Sequence, residues 1–281
     1  MNTVSGNIQK RYNFNFHGGL KKAIISEIQA TDCNKIQKNL NKLYGIKSDF
    51  SNNKIIAWSM QKTIDLMQEL NKKYRTPLIC PLNVIVDNLE NYFVDNSSQI
   101  YGFTNFLPCK LKKNSREITP ALSIIFNKDF PWDKLDEISD YDYFYNNTVT
   151  NHFLESFFHE ISHVIHGGHL LKKYSENLFY SKLSKLNNKT TNMQLKKKFE
   201  NIISEKLCKY ASLNSFDLIA CDLSGRFINS LDLNKLEFNK NPYKNSPYNL
   251  MFNLKKIFKP QDVLDILVNK IFNGNTEILN N

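Results

Sequence analysis

The stretch FFHEISHVIHGGHL, residues 157–170, holds four of the six histidines in a chain of 281 residues. Phe157, Phe158, Ile161, Val164 and Ile165 recur at the spacing of one helical face, which predicts a helix over 151–166 buried against a sheet. Gly167 and Gly168 are placed to terminate it. His159 and His163 are four residues apart, so on a helix their rings lie one above the other and both can turn a nitrogen toward one ion. Glu160 is rotated about 100° from His159, out of that pair but within reach of a water beside it.

This is the HExxH arrangement of zinc hydrolases, here HEISH. Composition alone would produce it in roughly 0.005 windows of such a chain, before a helix is required. Two histidines do not complete a catalytic zinc site, which takes three protein ligands and leaves one position open. Three residues are candidates for the third ligand. His166 is seven residues after His159 on nearly the same face, and one straight helix does not wrap three ligands around a tetrahedral ion. His169 has the HExxHxxxxxH spacing, with the glycines at 167 and 168 available for a turn. The third candidate is Asp217 in KYASLNSFDLIACD, residues 209–222, where Asn214 is placed to cap a second helix and Asp217 falls in its first turn. Asn214-x-x-Asp217 is also close to a capping box, in which Asp217 would only satisfy an amide.

Read outward from the motif, the chain is α+β. NNKIIAWSMQKTIDLMQELNKKY, residues 52–74, places Ile56, Met60, Ile64 and Met67 at helical spacing before Pro77, with both methionines expected in the core. LNVIVD (82–87) and ALSIIF (121–126) have strand character, separated by a turn containing Gly102 and a basic run. The first 50 residues are polar, with one expected helix at 20–30. Further helices are expected at 193–209, from about 215, and at 260–272. The expected organisation is an amino-terminal segment (1–50), a catalytic domain (51–235) and a helical carboxy-terminal extension (236–281).

Lys and Arg exceed Asp and Glu by 37 to 27, a net charge of +10. Neither zinc-finger spacing nor an aromatic-basic RNA-binding motif accompanies that charge, so no nucleic-acid partner is expected. The GxxxxGK[ST] phosphate loop is absent, and the five cysteines have no CxxC spacing. No apolar window is long enough for a transmembrane segment. The start lacks the apolar region of a classical signal peptide, so the expected location is cytoplasmic, or secreted by a non-classical route into a host cell.

HEISH followed by YASLNSFDLIACDL resembles the catalytic domain of anthrax toxin lethal factor and related zincin metallopeptidases. The shared register is HExxH, then Tyr210, Asn214, Asp217 and Ala220; the similarity spans roughly residues 80–235 and is specific at its two motifs. The resemblance implies a zincin-like fold: a small mixed sheet packed on an active-site helix, with a mostly helical carboxy-terminal part. It implies Zn2+ held by His159, His163 and Asp217, Glu160 as general base, and Tyr210 as a hydrogen-bond donor to the transition state. The implied activity is zinc-dependent hydrolysis of peptide bonds in a protein substrate, of the kind used by effectors and toxins. It further implies that the strand at Ala121–Phe126 is the edge along which an extended peptide lies. Three departures accompany the likeness: Asp217 stands where the family has the longer Glu, Cys221 where it has another Glu, and Ser162 where a glycine is common. They motivate an alternative, a catalytically impaired zincin acting as a protein-binding module. Glu155 and His152, one and two turns before His159, are candidates to orient its ring or to cap the helix.

Overall fold

A computed structural model of the chain describes residues 18–75, 80–92, 100–173, 204, 207–213 and 215–242. The helix expected at 260–272, most of the one expected at 193–209, and the Asn214 cap lie outside these residues. Among the described residues, six α-helices and a small mixed sheet make an α+β fold.

The first helices are α1 (Gly18–Gln29), α2 (Cys33–Tyr44) and α3 (Lys54–Tyr74). Polar caps set where they begin. The Asp32 side chain accepts the Lys35 amide at the start of α2, and Asn53 accepts the Ile56 amide at the start of α3, each satisfying a donor that the first turn leaves free. Gly45, at φ 71°, ends α2 in the left-handed conformation that glycine adopts without strain. Met60 and Met67 are buried in the core, as the periodicity predicts.

The main sheet has the order β1-β2-β4-β3, with β1 (Lys47–Asp49), β2 (Asn83–Asp87), β3 (Gly102–Asn105) and β4 (Ser123–Asn127). β1, β2 and β4 run parallel, and β3 runs antiparallel to β4. Val84 and Val86 pair with Ile124 and Phe126 and join the main core beneath the helices, while Ile125 turns to the other face and packs with Leu89 and Tyr92. β4 is therefore an interior strand, buried over all five residues. The expected edge strand at Ala121–Phe126 is corrected here: among the described residues the edges are β1 and β3, and β3 begins at the glycine read as part of a turn.

β1 lies within the first 50 residues, and Leu40, Ile46 and Phe50 around it are fully buried. That segment thus supports the sheet. After β4 come α4 (Leu135–Phe144), α5 (Glu155–Lys173) and α6 (Ser215–Asn229), then a two-stranded hairpin of β5 (Leu231–Asp232) and β6 (Glu237–Phe238). No helix among the described residues is long and apolar enough to cross a membrane.

α5 carries HEISH and continues through both glycines, contrary to the expected stop. Gly167 is needed for contact, not termination. A Cβ there would lie 2.6 Å from Phe106 Cδ1 and 3.0 Å from Leu122 Cδ2, so only a glycine lets α5 approach this wall. His169 consequently remains on the same helix, about 9 Å along its axis from His163, and no turn brings it back toward the pair.

Candidate metal centre

α5 buries Phe157, Phe158, Ile161, Val164 and Ile165 in the main core, which leaves His159, Glu160 and His163 along a cavity of about 440 Å3. α6 packs beside α5 with small residues facing it: Cys221 and Ser224, one and two turns beyond Asp217, are both buried, and Ser224 Oγ donates to Glu155 Oε1 at 3.0 Å. This close approach offsets the shorter reach of an aspartate.

His159 Nε2 and His163 Nε2 are 3.1 Å apart, and Asp217 Oδ1 lies 3.7 Å from the first and 3.3 Å from the second. Bonds of about 2.0–2.1 Å to a tetrahedral zinc ion would place ligand atoms about 3.3–3.4 Å apart. The observed triangle brackets that spacing, and two imidazoles with one carboxylate suit zinc. These three residues could hold a metal ion, with Asp217 Oδ1 facing both rings. Of the other candidates, His166 is buried against Phe216, with ring centroids 5.3 Å apart.

The electrostatics follow from this crowding. Burial by itself would raise the Asp217 carboxyl, yet the two histidines hold it well below the usual carboxylate range. Burial would lower His159, but Asp217, Glu160 and Glu155 overcome it and raise the ring to about 9. Burial raises Glu155, opposed by His159 and the Ser224 hydroxyl.

Glu160 lines the same cavity, and the Thr104 hydroxyl donates to its Oε2 at 2.6 Å. Thr104 belongs to β3, whose residues Gly102, Phe103 and Thr104 also line the cavity. Tyr210 opens a short 3-10 turn (Tyr210–Ser212) and reaches the cavity too; the Lys209 and Tyr210 amides donate to the carbonyls of Asn146 and Asn147 at 2.8 and 3.4 Å. Burial pushes the Tyr210 phenol upward, so the hydroxyl keeps its proton and can donate it in a hydrogen bond. Asp142, bound by the hydroxyl of Tyr101, another lining residue, and by Asn147 Nδ2, anchors this side.

Of the two roles open to Glu155, orienting the His159 ring is not the one seen: the outer nitrogen of His159 meets a sulfur. Nδ1 faces Cys221 Sγ at 3.7 Å, whereas Glu155 is engaged by Ser224. His152 precedes α5: its Nδ1 accepts the Leu154 amide at 3.1 Å and its carbonyl accepts the Glu155 amide, a helix-start role. Burial holds the His152 ring down at about 4.

The sequence therefore named His159, Glu160, His163, Tyr210 and Asp217, and all five border one cavity. It did not single out Thr104, which carries no motif, or the contact between Cys221 and His159; the latter position stood out only as a departure from the family pattern. Fold and site together define an α+β protein with a His2Asp cluster in a cleft beside an antiparallel edge strand. No protein-family model, no curated protein and no solved structure matches the chain.

Proposed function

We propose that this protein is a zinc-dependent endopeptidase of the zincin type, with α5 as its active-site helix and Zn2+ held by His159, His163 and Asp217. The observation that carries the reading is the donor triangle, with edges of 3.1, 3.3 and 3.7 Å, adjoining a carboxylate on the same helix. When bound, zinc polarises a carbonyl and makes hydroxide available near neutral pH.

The chain supplies the rest. Glu160 takes the proton of the attacking water and passes it to the departing amine. Because Thr104 occupies Oε2, that transfer falls to Oε1. The Tyr210 hydroxyl donates to the oxygen that gathers negative charge, a contribution of about 3 kcal/mol where a comparable donor has been removed from another hydrolase. β3 is paired only on its β4 side among the described residues, so its outer amides and carbonyls can bind an extended peptide beside α5. The substrate class is accordingly a protein or peptide segment in extended form.

The test combines metal analysis with a peptide-library digest on wild type, Glu160→Gln, Asp217→Ala and His169→Ala. Wild type and His169→Ala are expected to hold one zinc and cleave, Glu160→Gln to hold zinc without cleaving, and Asp217→Ala to lose the metal. A fully active Glu160→Gln, or a metal-free wild type after zinc is restored, would refute the reading.

A further inference from the structure

We propose that Asp142 is a positioning residue for the Tyr210 hydroxyl: through Tyr101 and Asn147 it fixes the turn that carries Tyr210 against the sheet. The kinetic part rests on the reading of Tyr210 as a donor given above, and the structural part does not.

The local sequence sets this up. α4 ends where Asn146 takes φ 59°, the left-handed conformation that asparagine adopts more readily than most residues. The Asn146 amide donates to the Tyr143 carbonyl at 3.0 Å and the Asn147 amide to the Asp142 carbonyl at 2.7 Å, the paired bonds of a Schellman motif. The chain is thereby folded back so that the carbonyls of Asn146 and Asn147 accept the Lys209 and Tyr210 amides, and Asn146 Nδ2 donates to the Ser204 carbonyl at 2.5 Å.

Asp142 grips this loop twice. Besides its carbonyl, its Oδ1 accepts Asn147 Nδ2 at 3.0 Å, while Oδ2 accepts the Tyr101 hydroxyl. Tyr101 is itself fixed to the sheet: it precedes β3, its carbonyl accepts the Asn127 amide at the end of β4 at 2.8 Å, and its ring packs on Phe130 with centroids 4.5 Å apart. Burial, and then Asp142 itself, push the Tyr101 phenol upward, so it keeps its proton and donates. The contacts run in one line from the sheet through Tyr101, Asp142 and Asn147 to Tyr210. Tyr101, Asn147 and Tyr210 line the cavity, and Asp142 stands behind them. A hydroxyl that meets a developing charge acts only where its position is held, and a carboxylate can accept from two donors at once through charge-assisted bonds. An asparagine of the same size offers one acceptor and turns its NH2 toward the other donor.

The experiment places Asp142→Asn in wild type and in Tyr210→Phe, and measures kcat and KM on a peptide selected from the library digest. Asp142→Asn is expected to keep its zinc and lower kcat about tenfold, with KM within about twofold; the loss is smaller than on removing Tyr210 because the donor is displaced and not deleted. The double variant is expected to be no slower than Tyr210→Phe alone, since a residue that acts through Tyr210 then has nothing to position. Losses that multiply to about 1,000-fold, as a general structural defect gives, would overturn the proposal. Deuterium exchange of the metal-free chain reads the hold without the reaction. The peptide containing Lys209 and Tyr210 is expected to exchange about tenfold faster in Asp142→Asn, with the peptide Phe157–Ile165 of α5 unchanged. Equal rates at Tyr210, or faster exchange in both peptides, would overturn the proposal. A wild type that does not cleave, or an unslowed Tyr210→Phe, would refute the donor reading and the kinetic part with it, and the exchange rates still decide whether Asp142 holds the turn. Should Asp142→Asn fail to fold, Tyr101→Phe and Asn147→Ala each remove one donor to the carboxylate, and wild-type exchange at Tyr210 in both would overturn the proposal.

Discussion

Zinc affinity should depend steeply on pH, and Asp217 sets the range. In the metal-free protein, burial alone would lower His159, but the adjacent carboxylates hold the ring at about 9, so near neutral pH it is protonated. A metal ion takes only the neutral imidazole, so binding must expel that proton. With a raised pKa the competition is strongest at low pH and fades as pH rises through about 9. One zinc ion bound at about pH 7 should therefore release close to one proton from His159, and affinity should fall nearly tenfold, about 1.4 kcal/mol, for each pH unit below about 8.5. Asp217→Asn removes the leading influence that raises the ring and leaves burial opposed only by Glu160 and Glu155. The variant should bind zinc more weakly, yet with a shallower pH dependence from this residue. Chelator-competition titrations across pH supply the affinities, and calorimetry in buffers of different ionisation enthalpy counts the protons. A wild-type affinity that is flat between about pH 7 and 8.5, or a proton count unchanged by Asp217→Asn, would refute the reasoning.

Three further expectations concern the residues around the ligands. Tyr210→Phe should keep its zinc and lower the turnover of a library-selected peptide by about 100-fold, as loss of one oxyanion donor does; unchanged turnover would remove Tyr210 from the reaction. Thr104→Val should reduce turnover about tenfold by freeing the Glu160 carboxylate from its 2.6 Å hydrogen bond, with Thr104→Ser restoring it and zinc content equal in all three. Gly167→Ala gains helix propensity but forces a Cβ against Phe106 and Leu122, so chemical denaturation should show a net loss of about 1 kcal/mol; stabilisation would mean that this wall yields freely.

What the sequence disclosed divides along physical lines. The pairing of His159 with His163 was legible because a four-residue step on a helix fixes where two side chains point, whatever surrounds them. Asp217 was harder. Its place depends on how closely α6 approaches α5, and that is decided by Cys221 and Ser224, whose small size has no meaning until the helices are seen together. Gly167 was misread for a similar reason: a glycine after an amphipathic run marks either an end or a close contact, and Phe106, which makes the contact, is some 60 residues away in sequence. β3 escaped notice because four residues beginning with glycine carry little strand signal, yet its neighbour gave a usable clue. SIIFN is buried at every position, the mark of an interior strand rather than an edge. The start of α2 was also readable in hindsight from Asp32 before it and Gly45 after it.

The placement of β1 bears on how this chain withstands cleavage. Its three residues cover one side of β2, while Ile46 and Phe50 seal the core at that end. A protease cutting near residue 50 and releasing the preceding segment would leave every residue of the ligand cluster in place. It would also bare a row of unpaired amides and carbonyls on β2, bordered by Val84 and Val86, which is a template for self-association. The remaining fragment would be lost to aggregation before its chemistry was affected.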